Sequence, residues 1–196
     1  MDHENPEWTA DDFKRARPAA EVLPQLIDKR RYTMYTTVID DEAEELDDMG
    51  SFNHGYVQVR LIVAFDKLGV YTPVTELSLD VSGADLSQFD LRTKEEIKPD
   101  ICLYPKRGLS RPRDILKMTE MPLLAVEILS PRQGTYSILQ KFEAYFSLGI
   151  HSCWLVEPTT RVVHIYKDPI TRTTYSTGDL IDEKLDIQMA VAEIFE

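Results

Sequence analysis

The ten residues Pro122–Pro131, PLLAVEILSP, constrain the fold more than any other stretch. Six of them are Leu, Ala, Val or Ile, and a short apolar run closed by prolines reads as a strand buried on both faces. Glu127 stands in its middle. An ionised carboxylate in apolar surroundings costs several kcal/mol or more if nothing answers it. Such a position is paired with a cation or holds a metal, so the strand must pass a site as well as a core.

The neighbouring stretches supply the rest of that core. In SFNHGYVQVRLIVAFDKLG, residues Val57, Leu61, Ile62, Phe65 and Leu68 form one helical face, with Ser51 or Asn53 placed to cap it and Gly69 to end it. VYTPVTELSLDVSG alternates Leu77, Leu79 and Val81 against Glu76, Ser78 and Asp80, which predicts a half-buried strand. KPDICLYP predicts a second strand and PLLAVEILS a third. YSILQKFEAYFSLG predicts a helix with Ile138, Phe142, Tyr145 and Phe146 on one face and Gly149 at its end, and HSCWLVEP and RVVHIYKD predict two further strands joined by a short turn. The order is helix, three strands, helix, two strands, an α/β (α+β) core with a mixed sheet flanked by helices. Residues 51–196 form this domain, and residues 1–50 read as an acidic extension packed on it, with a strand over RRYTMYTTVID. The run DDEAEELDDMG lacks the central glycine and ligand spacing of an EF-hand loop, so it is expected as a solvated loop or helix face.

Net charge is −12, which argues against a polyanion as partner until it is mapped. Residues 1–50 hold 14 acids against 6 Lys and Arg, or −8, whereas Lys98–Lys141 holds eight Lys and Arg against four acids, or +4. The local field of that window is compatible with nucleic acid. No apolar run approaches the roughly 20 residues of a membrane span. The first residues lack the order of a signal peptide, and Cys102 and Cys153 stand far apart in apolar segments, so buried thiols in a reducing cytoplasm are expected.

Chemistry follows from the alternation of strand side chains. Glu127 shares a face with Ala125 and Leu129, and Asp100 opens the second strand after Pro99. If the two strands pair, the acids stand about 4.5–5.5 Å apart at Cβ, where a cation between them would relieve their repulsion. Mg²⁺ or Mn²⁺ suits two carboxylates completed by water. A salt bridge to Glu127 is the alternative at this point. Lys141 sits between Ile138 and Tyr145 and so borders the helix face turned to the sheet.

These elements together, Pro99–Asp100, VEILSP, Lys141 and Tyr145 in the helix, Gly149 and WLVEP, resemble the PD-(D/E)XK nuclease superfamily, and within it the Uma-type family of bacterial "putative restriction endonucleases". The resemblance runs from about His54 to the C-terminus. It implies a restriction-endonuclease-like nuclease domain over 51–196 that hydrolyses DNA with Mg²⁺ or Mn²⁺. It further implies metal ligation by Asp100, Glu127 and the backbone carbonyl of Ile128. The superfamily's lysine two residues after the acid is replaced by Leu129, and in the family that role maps onto Lys141. Glu76 and His54 are candidates to support the ligands. Lys106, Arg107, Arg111, Arg113 and Lys117, in a loop expected beside the metal site, are candidates to grip the nucleic-acid backbone. A homodimer is expected, since cutting both strands needs two sites. The alternative is an inactive nuclease-fold module that binds nucleic acid or protein, which Leu129 and the acidic total favour.

Overall fold

The computed structural model describes residues 51–89, 91, 95–110 and 112–196. The extension over 1–50, with its expected strand and acidic run, lies outside the described residues.

Helix α1 (Phe52–Lys67) begins where expected: Ser51 is extended, and its hydroxyl accepts a hydrogen bond from the His54 N–H at 3.2 Å. Past Leu68, Gly69 takes φ +75°, a conformation that stops the helix at no steric cost to glycine. The chain turns into β1 (Tyr71–Thr75), which pairs antiparallel with β4 (Ile101–Pro105). Strand β4 pairs antiparallel with β5 (Leu124–Ile128). Helix α2 (Thr135–Ser147) then crosses to β6 (Ser152–Glu157), parallel to β5. Strands β7 (Val162–Tyr166) and β8 (Arg172–Tyr175) follow antiparallel, giving the sheet order β1-β4-β5-β6-β7-β8.

Both faces of this sheet are covered, which is why β5 reads as an unbroken apolar run. On one face α1 lays Val57, Leu61 and Phe65 against Ile101, Leu103, Val126 and Trp154, with the Phe65 and Trp154 rings 5.3 Å apart. On the other, α2 lays Ile138, Phe142 and Tyr145 against Cys102, Ala125, Cys153, Leu155 and Tyr166. Each fully buried side chain of this size contributes roughly 1.5–3 kcal/mol.

Two expectations are corrected. The strand read over Leu77–Val81 is not continuous. Regular pairing ends at Thr75, Glu76 turns the backbone at φ +49°, and only Leu79–Asp80 (β2) resumes, paired with Glu96–Ile97 (β3). The Glu76 N–H still makes the next ladder bond, to the Asp100 carbonyl at 3.1 Å, and its positive φ then carries the chain out of the sheet. The chain also continues beyond the last predicted strand. Besides β8, it forms a hairpin of β9 (Asp179–Asp182) and β10 (Ile187–Ala190) and a short helix α3 (Ala192–Phe195), whose Leu180, Ile187 and Ile194 close the α1 side of the core.

Candidate active site

Strand register brings the acids together. The pairs Thr75↔Ile101 and Ile101↔Val126, each continued by one residue, set Glu76 opposite Asp100 and Asp100 opposite Glu127. The three acidic residues therefore stand in one backbone row, Glu76 just past the end of β1 and Asp100 just before β4, at the end of the sheet where β4 starts and β5 finishes. The register sets Asp100 and Glu127 side by side on neighbouring strands.

Each helix directs a pair of polar side chains, spaced i and i+4, onto this row. From α1, His54 Nε2 lies 3.3 Å from Asp100 Oδ2, and Gln58 Nε2 donates to the Asp100 carbonyl at 3.1 Å and to Glu76 Oε1 at 3.5 Å. From α2, Lys141 Nζ donates to Glu127 Oε2 at 3.0 Å, and the Tyr145 hydroxyl donates to Glu127 Oε1 at 2.5 Å. Lys141 was expected within 4–6 Å of Glu127, and it lies closer. The strand backbone contributes as well, since the Ile128 N–H donates to Asp100 Oδ2 at 2.6 Å.

The electrostatics follow from burial. Glu127 is only 2 % exposed. Desolvation raises its pKa, Lys141 and the Tyr145 hydroxyl act against that, and the Asp100 charge reinforces it. His54 is also shifted upward, chiefly by its hydrogen bond to Asp100 and further by the Asp100, Glu76 and Glu127 charges, against desolvation. Burial pushes Cys102 up to about 12 and Cys153 well above the ordinary thiol range, so both thiols stay protonated and inert.

The basic loop starts at the end of β4 away from the acids. Lys106 follows the far end of β4, roughly 20 Å from Asp100 at about 3.3 Å per residue. Lys106 pairs with Asp66 at 3.0 Å, and Arg107 forms a two-pronged pair with Glu120 while its guanidinium stacks over Tyr104. Lys117 approaches Glu95 and Glu96 at 3.8 and 3.7 Å, Arg113 is exposed, and Arg111 lies outside the described residues. β4 separates the start of this loop from the acids by its whole length, whereas its other end returns toward them: the Met118 N–H, next to Lys117, donates to the Ser78 carbonyl at 2.8 Å, two residues past Glu76.

Gln58 was not singled out from the sequence, and Tyr145 only as part of the helix motif, with no role for its hydroxyl. The signal was present in their spacing, four residues after His54 and after Lys141. Among the described residues no group of three or more His, Cys, Asp or Glu closes around a common point as a metal cluster. No described helix is long and apolar enough to cross a membrane.

Known proteins resemble this chain in family and in fold. A family model described as "Putative restriction endonuclease", Uma2, matches residues 21–192. That match starts about thirty residues before the stretch in which the motifs are legible. The solved structure of a "putative nuclease belonging to DUF820" from Anabaena variabilis is similar in fold, with a TM-score of 0.60 and 15 % identity over 76 % of this chain and 83 % of that one. No curated protein matches the chain.

Proposed function

The chain belongs to the Uma2 family, described as "Putative restriction endonuclease", and on that premise we propose that it is a metal-dependent endonuclease hydrolysing DNA phosphodiester bonds, with Asp100, Glu127 and Lys141 as its catalytic residues. One observation carries the reading: a buried glutamate beside Asp100 is held by a lysine that arrives from the next helix, 3.0 Å away. A lysine reaching Glu127 from α2 supports the reading that Lys141 does the work of the lysine that Leu129, just past β5, replaces. This favours a cutting enzyme over an inactive module.

The donors fit a hard divalent cation. A carboxylate offers about four lone-pair sites, so Asp100 and Glu127 keep acceptor capacity beyond the bonds they make. The N–H and C=O of a strand residue point to the same side, and the Ile128 N–H points to Asp100, so its carbonyl faces the same space. Two carboxylates and a carbonyl, completed by water and phosphate oxygens, suit Mg²⁺ or Mn²⁺. When bound, the ion would polarise the scissile phosphate and lower the pKa of a water.

The chain's own residues do the rest. Asp100 and Glu127 present negative oxygens, and the ammonium of Lys141 orients the attacking water and offsets charge that develops on the phosphate. His54 and Gln58 keep Asp100 in place, and Glu76 borders the opening of the site. Lys106, Arg107, Arg111, Arg113 and Lys117 are proposed to grip the DNA backbone; Lys106, at roughly 20 Å from Asp100, would meet it about six base pairs from the cut, at about 3.4 Å per base pair. Duplex cleavage calls for two such sites, hence a homodimer on DNA. Protonated thiols and a DNA substrate point to the cytoplasm.

The reading is tested by comparing Lys141→Ala with wild type on the same DNA and Mg²⁺. Cleavage should fall by ~10²–10⁴, a general acid–base-sized loss, with metal affinity nearly unchanged. Cutting at the wild-type rate would make Lys141 a surface residue and require another group to activate the water.

A further inference from the structure

The two oxygens of Glu127 are not equivalent, and the difference lies in what holds them. Oε2 accepts from Lys141, whose side chain is 32 % exposed, so this oxygen faces the opening of the site. Oε1 accepts from the hydroxyl of Tyr145, a residue with no exposed surface. Tyr145 sits one helical turn beyond Lys141 on α2, its ring 6.2 Å from that of Phe142. The carboxylate is therefore clamped at both oxygens by one helix, the inner clamp in the core and the outer one at the water.

We infer that Tyr145 is a positioning residue: its hydroxyl fixes the rotation of the Glu127 carboxylate, so that Oε2 is turned toward the cation and the scissile phosphate. This rests on the reading of Glu127 as a metal ligand and adds to it the group that orients the ligand. Three facts support it. A mid-strand glutamate on a buried face has only the core on its inner side, and without the hydroxyl Oε1 would face apolar side chains such as Ile138 and Leu155 with no donor. The bond length, 2.5 Å, is that of a hydroxyl donating to a carboxylate. Among the described residues no buried side-chain nitrogen or oxygen lacks a partner, and the bond to Glu127 satisfies the buried Tyr145 hydroxyl. Groups that orient metal-ligating carboxylates typically carry 10–100-fold of affinity or activity.

The test is Mn²⁺ binding to the protein without DNA, measured by calorimetry for wild type, Tyr145→Phe, Phe142→Leu and Glu127→Ala, with DNA cleavage measured alongside. Tyr145→Phe removes one oxygen and keeps the ring. It should bind Mn²⁺ 10–100-fold more weakly and lower kcat by a similar factor, with KM for DNA within about twofold. Phe142→Leu disturbs packing on the same turn but leaves the clamp, and should bind Mn²⁺ within about twofold of wild type. Wild-type Mn²⁺ affinity in Tyr145→Phe would overturn the inference and leave the nuclease reading intact. Wild type binding no more tightly than Glu127→Ala would overturn the metal site itself, and the inference with it. A Tyr145→Phe chain that fails to fold even at low temperature with a stabilising osmolyte would also overturn it, because the hydroxyl would then serve the fold and not the site.

Discussion

His54 and Glu127 both hold a proton more tightly in the folded chain than in the unfolded one, and this fixes the sign of the protein's pH response. For His54 the folded pKa is raised above about 6.5, chiefly through its bond to Asp100. Its stabilising contribution is therefore complete below pH 6.5 and is lost as pH rises through the folded value. Glu127 is raised by burial, so it too makes stability fall with rising pH, beginning above its unfolded value near 4.5. The metal-free protein should show a falling urea midpoint between pH 6 and 8, and His54→Gln should flatten that slope. An equal slope in the variant would mean that Asp100 does not hold the imidazolium. At this scale Glu127 stood out as a charge in an apolar run, whereas Asp100 and Lys141, alone ordinary for a strand start and a helix surface, were singled out by the family resemblance. Gln58 and the Tyr145 hydroxyl were not, because a glutamine on a helix and a tyrosine on its apolar face look like ordinary surface and packing until their partners on other strands are known.

Among the elements, legibility tracked how far side-chain pattern decides the backbone. Strand β5 and helices α1 and α2 followed from apolar runs and helical spacing. The break at Glu76 did not, because a positive φ at a glutamate leaves no mark on an alternating side-chain pattern. Strands β8, β9 and β10 are four residues each and partly polar, too short for alternation to mark. What anchors the β9–β10 hairpin is a buried aspartate. Asp182 Oδ2 accepts from the Ser152 hydroxyl at 2.6 Å and the Trp154 indole N–H at 2.8 Å, and Oδ1 accepts from the Lys184 N–H at 3.1 Å. Asp182→Ala would strand these donors in the core and should destabilise the fold by about 2–4 kcal/mol in urea unfolding. Because the row of acids is untouched, cleavage by the folded fraction should persist. A loss below about 0.5 kcal/mol would show that the hairpin is held by its apolar side chains alone.

For the molecule as a whole, charge and site are separated. The acids that do the proposed chemistry sit at one end of the central strands, while Lys106 and Arg107 are paired with Asp66 and Glu120 beyond the other end. The length of β4 sets Lys106 and Arg107 apart from Asp100, near as they are in sequence. If the loop grips DNA at a distance, replacing Lys106, Arg107 and Arg113 together with Ala should lower the salt dependence of DNA binding by up to ~3 in log–log slope, at about 0.9 per phosphate contact. Turnover on saturating DNA should not change. An unaltered slope would assign these cations to the fold through Glu120 and Asp66. The central claim, that the row of acids is a hydrolytic metal site, is tested most directly by incubating a mixed DNA library with wild type and with Glu127→Ala, each with Mg²⁺, with Mn²⁺ and with chelator. The account predicts fragments only from wild type with a metal present. Equal fragmentation by Glu127→Ala, or wild-type cutting that persists in chelator, would contradict it.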